Sequence, residues 1–565
     1  MDNAISEKLI AKILSIGAAV TTLLIISGSV TDPVNTPKLL AVGIVGFAAV
    51  SVLLSSESLN YVRQYKLALL FASLFTLAMV VAVVASESPL TQNLYGSYGR
   101  NNGFFAYIFL LLIFISSLAF RGSKSFETVV KALLLAGLVN VFYCIWVIMF
   151  GDFIGWSNPY GNILGTLGNP NFIGSFLGIF FTAYLIFAMG KTSAKITKYS
   201  LWLVLPLTGL SIYQSKAIQG RVVTALGIGI LGFLIIRSKF GKLLTGVYLI
   251  VGSLVGLFAL LGALQVGPLT KYIYKTSVSL RGQYWLAGWN TGESHPLTGV
   301  GMDSFGDWYR RSRDIHAIEL PGVNVIVNAA HNVPMDMFAF GGWPLLLTYL
   351  SIMGLAAMAA FRVILRRKAF DPTFAVLITA WVGYQLQSII SINQIGLAVW
   401  GWFLSGVLIA YERATRDGNL AGTQPISRQA KRSQAVAVHP KLVLASAIGS
   451  LIGMLVALPP LASDIKWRSA QQARTVPGIE STMTAGYFNP QNSTMYLNNI
   501  QSLEGSNLPD LAVKYARQAV SWNPEAFELW KVLYLIRNST EDEKALALQN
   551  MKRLDPLNPD VTSVK

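Results

Sequence analysis

Cysteine and charge are what this chain has least of. Its 565 residues include one cysteine and four histidines, and only 13% are Asp, Glu, Lys or Arg. The lone thiol, Cys144, lies inside an apolar run. It can close no intrachain disulfide and build no metal site, so the parts outside that run are held without covalent staples. Soluble domains carry ~25% charged residues. The shortage here, with 53% hydrophobic residues and a mean hydropathy of +0.52, excludes a disordered chain, a coiled coil and an ordinary soluble enzyme. Acids are scarcer than bases, 27 against 44, which leaves a net charge of +17. There is no Asp-x-Asp, no His-Glu-x-x-His and no Cys/His cluster outside the apolar runs, so the familiar signatures of a bound metal are missing, and no cofactor is expected.

What the chain does have is long apolar blocks. A membrane crossing takes about 20 apolar residues, and thirteen stretches qualify: 9–30, 37–55, 67–86, 103–120, 129–150, 172–189, 199–215, 222–236, 243–264, 333–361, 373–391, 395–411 and 442–463. The first is too long for the core of a secretory signal and lacks a small-residue cleavage site, so it reads as an uncleaved helix. The fold expected is all-α, a polytopic membrane bundle. Basic residues set its orientation, because Lys and Arg stay in cytoplasmic loops. With the N-terminus inside, inner segments carry 23 Lys and Arg, while the short outer loops carry 4: Lys38, Arg100, Lys216 and Arg221. The positive balance is therefore a topology signal facing anionic lipid rather than a nucleic-acid surface.

This topology divides the chain into a transmembrane domain, 1–411, with a large outer loop at 265–332; a basic inner linker, 412–440; a further span, 441–463; and an outer tail, 464–565. The tail has apolar residues at helical spacing. Asn-Pro occurs at 523–524 and 558–559, 35 residues apart, similar to the period of tetratricopeptide repeats. Such units stack into a concave surface that takes protein partners. A plain helical cap on the membrane domain fits the same pattern.

The spans carry almost no ionisable residues, which disfavours an ion-coupled transporter and points to a site at the outer face. Four outer segments stand out: "YGSYGRNNGFFAY" with Arg100; "LGTLGNPNFIGSFLG" with Asn169 and Asn171; "SIYQSKAIQGRVVTALG" with Lys216 and Arg221; and the large loop, with Arg281, Asp303 and His331. Arg221 opens a span on the side where basic residues are disfavoured, and an interfacial anchor would explain it as well. Arg281, Trp285 and Trp289 recur at helical spacing, as they also would on a helix lying in the interface. Arginine binds diphosphate oxygens through a bidentate fork and keeps its charge throughout. Two of them can therefore neutralise a departing diphosphate without a metal. His331, where the outer loop becomes a span, is placed to take a proton from an acceptor hydroxyl, although a lone boundary histidine is more often a packing residue. His295, His316 and His439 read as loop, solvated and inner-side residues. Asp303 reads as a helix cap. Asp336, five residues after His331, points elsewhere on a regular helix.

Taken in order, Arg281 to Trp285, then "HPLTGVGMDSFGDWY", then "AHNVPMDMFAFGGWPLLLTYL", with the "GNPN" and Gly220-Arg221 turns, resemble the O-antigen ligase and polymerase superfamily over about 95–415. The resemblance implies an inverting, metal-independent glycosyltransferase on the outer face of a bacterial inner membrane. Its donor is a glycan on undecaprenyl diphosphate, and its acceptor a hydroxyl of a lipid sugar, a growing glycan or a protein. It implies His331 as the base and Arg221 and Arg281 as the diphosphate ligands. Arg100, Lys216, Asn169, Asn171, Trp285, Asn332 and Asp303 would hold substrate. A protein O-oligosaccharyltransferase would share this chemistry. A flippase for lipid-linked glycans would instead need a charged cavity between the helices, and a non-catalytic scaffold leaves Arg221, Arg281 and His331 unexplained.

Overall fold

A computed structural model describes residues 2–189, 195–273, 276–418 and 439–563. Helices make up the regular structure throughout, and the described residues contain no strand beyond one isolated bridge between Gly486 and Asn489. Each of the thirteen apolar stretches has a helix over most of its length; the first, expected at 9–30, is a helix only to Leu23. Ten of those helices are long and apolar enough to cross a membrane, and Phe104–Ser117 is a shorter apolar one. The protein is a multi-pass helical membrane protein. The linker expected at 412–440 begins later than its composition suggests, because the helix Ile395–Arg416 runs on past residue 411; residues 419–438 lie outside the described part.

Polar contacts gather at the two ends of the bundle. At one end, Glu7 accepts from the backbone N–H groups of Arg121 (2.9 Å) and Gly122 (2.8 Å). There too, the guanidinium groups of Arg121 and Arg413 lie 3.7 and 4.1 Å from the centre of the Tyr61 ring, and Arg237 donates to the carbonyl of Arg367 (2.9 Å). These are segments expected to be cytoplasmic. At the other end, Asn35 donates to the carbonyl of Gly99 (2.9 Å), Asp464 takes the hydroxyl of Tyr98 (2.7 Å), and Asn102 donates to the carbonyl of Asn393 (2.8 Å). These belong to the segments expected outside.

Burial sorts the helices between them. Ile395–Arg416 is buried along its whole apolar window, whereas Lys242–Ala263 is buried along 0% of its own, so the first is the hub of the bundle and the second faces lipid. The last long helix, Pro440–Ala473, lies against Asn35–Leu54 through small residues: a Cβ on Gly453 would sit 2.3 Å from the carbonyl oxygen of Gly43, and one on Gly449 2.4 Å from that of Phe47. With no hydrophobic drive between helices in lipid, close backbone approach of this kind supplies the packing. The same helix crosses the expected boundary at 463/464 without a break. Asp464 anchors the continuation by accepting from the N–H groups of Thr31 (3.0 Å) and Asp32 (2.9 Å).

Lys38 differs from its expected place in an outer loop. It is fully buried on the helix Asn35–Leu54 and donates to the carbonyls of Thr21, Thr22 and Leu24 at 3.0, 2.6 and 3.0 Å. Helix C-termini leave their last carbonyls unpaired, and Lys38 closes the first helix, Asp2–Leu23, in this way.

The tail is a series of short helices, each packed on the next. A third Asn-Pro pair, at 489–490, precedes the pair at 523–524 by 34 residues, and a helical hairpin follows each of these two pairs: Ser493–Gly505 with Pro509–Trp522, and Phe527–Leu535 with Glu541–Leu554. Asn523 and Asn558 make the same turn, accepting the N–H two residues on (3.2 and 3.0 Å). The tail seats on the outer loop through buried ions. Asp555 takes Arg310 (2.9 Å) and Arg313 (2.8 Å), Glu528 takes Arg310 (2.6 Å), and Glu525 takes Arg311 (2.5 Å).

Candidate functional site

The site is built where three segments expected outside meet. The first is the helix Val333–Arg366, which is broken at Gly341 and Gly342, the latter at φ +62°. A break of this kind frees carbonyls within the ladder. The turn at 295–301 takes them up: Val300 donates to Ala339 (3.0 Å), Gly301 to Phe340 (3.1 Å), and Trp343 returns a bond to the carbonyl of Pro296 (2.8 Å). The His-Pro-Leu and Gly-Gly-Trp-Pro motifs are thus two halves of one joint. It fixes the short leading piece of the helix, whose N-cap is Asn332, accepting from the N–H of Met335 (3.0 Å). His331 immediately precedes this cap in a left-handed conformation, φ +56°.

The second segment carries Arg100. Asp303, itself left-handed at φ +55° and buried, draws the 96–103 loop around its carboxylate. It accepts from the N–H of Ser97 (2.8 Å) and Asn102 (3.1 Å), and its backbone carbonyl takes the Ser97 hydroxyl (2.8 Å). A Cβ on Gly96 would fall 2.4 Å from that carboxylate, so the approach requires glycine. Burial raises the Asp303 carboxyl to about 7 against the pull of these donors and of Arg100. Asp303 therefore organises a loop, where the sequence suggested a helix cap or a substrate contact.

The third segment is the helix Thr276–Ser294, which carries Arg281, Tyr284 and Trp285. The Tyr284 ring lies 5.3 Å from that of His331. The indole N–H of Trp285 is buried and has no acceptor. Trp289 instead packs on Phe338 (5.2 Å) and Trp343 (6.0 Å), away from Arg281.

Electrostatics ties the three together. Burial, then Arg100, then Arg281 lower the His331 imidazole from 6.5 to about 3. Burial and the two cations hold the imidazole neutral. Burial also lowers both arginines, and among the described residues no carboxylate pairs with either. The carboxylates of Asp303 and Asp336 act on Arg100 from further off. Asp336 is buried, and its carboxylate accepts from the N–H of Ala330 (2.7 Å), tying down the residue before His331. No three His, Cys, Asp or Glu side chains converge among the described residues.

The other expected residues lie elsewhere. Arg221 and Lys216 share the ring of Tyr213, at 5.5 and 4.8 Å, and both are exposed. No described interaction joins them to His331. Asn169 donates to the Tyr160 hydroxyl (3.2 Å) and accepts from the N–H of Asn171 (2.9 Å), at the start of the helix Pro170–Met189. It lines an outer cavity together with Arg100. Arg100, a secondary donor contact by sequence, acts on His331 electrostatically together with Arg281. The topology expected of the chain placed all these loops on one side but could not rank them by distance.

Residues 201–350 match the family model described as O-Antigen ligase. The matched segment takes in Arg221, Arg281, Asp303 and His331, the turn at 295–301 and the glycine break. No curated protein matches the chain. The match supports a place in the O-antigen ligase superfamily and, with it, a glycan-transfer function at a membrane in polysaccharide biosynthesis.

Proposed function

We propose that the protein transfers a glycan from undecaprenyl diphosphate to an acceptor hydroxyl, with inversion and without a metal, at the extracytoplasmic face of a bacterial inner membrane. What supports this reading is His331, whose imidazole burial and the charges of Arg100 and Arg281 keep neutral, and the lack, among the described residues, of a carboxylate paired with either arginine. Two half-buried cations with no carboxylate paired to either among the described residues favour an anion, and a lipid diphosphate supplies it in the bidentate form arginine prefers. Its binding cancels the field that depresses His331, so the imidazole becomes more basic when the donor is in place. His331 then takes the proton of the acceptor oxygen as that oxygen attacks the anomeric carbon. The bond to the diphosphate breaks on the opposite side, and Arg100 and Arg281 stabilise the negative charge on the leaving group. Arg221 and Lys216 form an outlying cationic pair that engages the donor before or after it reaches His331. The tail serves as a repeat-like docking module for the acceptor or for a protein partner.

His331→Asn is the decisive variant, because asparagine tolerates the left-handed backbone that alanine would strain. Transfer from a labelled undecaprenyl-diphosphate sugar should fall by at least about 100-fold, the usual contribution of a general base, while the protein inserts and purifies as the native chain does. Native-like turnover in that variant would remove His331 as the base.

A further inference from the structure

A cavity of about 540 Å³ opens at the outer end of the bundle, within the ordinary range for small-ligand sites. Its walls come from the loop 27–35, the segment 154–172, residues 392–394, Arg100 and, from the last long helix, Arg468. None of the residues singled out in the sequence lies in that last helix.

The polar groups facing this cavity are unbalanced towards donors. Gln394 is 3% exposed. Its side-chain oxygen is occupied by the N–H of Leu397 (3.1 Å), while its amide nitrogen is buried with no partner. Arg468 makes a long contact to the carbonyl of Gly28 (3.4 Å) and, among the described residues, pairs with no carboxylate. Arg100 is unpaired as well. The one carboxylate among the lining residues, Asp32, accepts from the N–H groups of Val34 (2.9 Å) and Asn35 (3.0 Å) and from the Asn35 side chain (3.2 Å), and acts on Arg100 only from further off, after Asp303 and Asp336. Trp156 and Tyr160 add aromatic surface, the Trp156 indole being oriented by Asp152 (2.7 Å). Two guanidinium groups and aromatic faces suit a sugar ring bearing an acidic group.

We propose that this cavity is a subsite for an anionic sugar of the glycan, in which Arg468 sets the preference for an acidic over a neutral residue. The inference takes the class of ligand from the glycan-transfer reading and its charge from the cavity itself. It makes the last helix part of substrate selection. Arg100, shared with the site of His331, places the bound sugar next to the reacting end.

The test is direct binding to the full chain in nanodiscs, which does not depend on turnover. The probes are a lipid-free tetrasaccharide containing one hexuronic acid and its carboxyl-reduced counterpart. The acidic probe should bind more tightly. Arg468→Ala should weaken it about tenfold, as expected for one charge-assisted hydrogen bond, and leave the reduced probe unchanged; Arg468→Lys should restore part of the loss. Equal binding of the two probes to the native chain, or no binding of either, overturns the proposal. So does a tenfold loss of bare undecaprenyl diphosphate on Arg468→Ala, which would assign the cavity to the carrier. Transfer by His331→Asn is a separate measurement, so the subsite and the base can fail independently.

Discussion

His331 has an unusual task for a base, because its surroundings hold its imidazole far below the ordinary value. Burial and two arginines lower it to about 3. The sign follows from the cause: cations disfavour a further positive charge, so removing one raises the histidine, and so does binding an anion beside them. In a pH series, kcat/KM reports the free enzyme and kcat the complex. The acid limb of kcat/KM should therefore lie near pH 3 for the native chain and be flat through pH 5, while the limb of kcat lies higher. In Arg281→Gln the limb of kcat/KM should move up towards the ordinary imidazole value. A native profile already falling below pH 6 would show that His331 is not screened in this way. The sequence marked His331, Arg281 and Arg100 as outer-face residues of the right chemistry. It could not show that Arg100 acts on the histidine together with Arg281. That pairing depends on Asp303 gathering the 96–103 loop from far along the chain, a contact with no periodic signature.

At the scale of elements, hydropathy located the long apolar helices, because lipid demands a continuous apolar run and leaves little freedom in where one can lie; the polar helix Thr276–Ser294 it left within a loop. What hydropathy missed is local and polar: the Gly341-Gly342 break, Lys38 closing the first helix, and the ions that seat the tail. The last of these changes what the tail is expected to do. Arg313 and Asp555 are both completely buried, 0% exposed on each side. Breaking such a pair strands a charge, at about 3–5 kcal/mol. Asp555→Ala, at the residue that ends the second hairpin and in no described contact with His331, should lower the thermal stability of the purified protein by an amount of that order. It should also speed amide exchange in the helix Phe305–Ser312 and in Val323, whose carbonyl takes both Arg310 (3.1 Å) and Arg313 (2.9 Å). Unchanged exchange in that loop would mean the tail is carried passively rather than bracing the outer face.

At the scale of the whole molecule, the geometry and the charge pattern are independent, yet they divide the loops the same way. The positive-inside rule used only counts of Lys and Arg; the contacts use none of that. Even so, the segments with excess positive charge touch one another around Tyr61, Arg121 and Arg413, while the site, the cavity and the tail share the opposite end. Only the absolute direction is left to experiment, and the scarcity of cysteine makes it accessible. Cys144 is buried and should stay silent towards a membrane-impermeant maleimide. Lys124→Cys and Ser506→Cys put single exposed thiols at the two ends. In intact spheroplasts, Ser506→Cys should label fully and Lys124→Cys only after the membrane is opened. The reverse pattern would put the arginines and His331 in the cytoplasm, where an outer-face transfer reaction has no place, and equal labelling of both would contradict a bundle with two distinct faces.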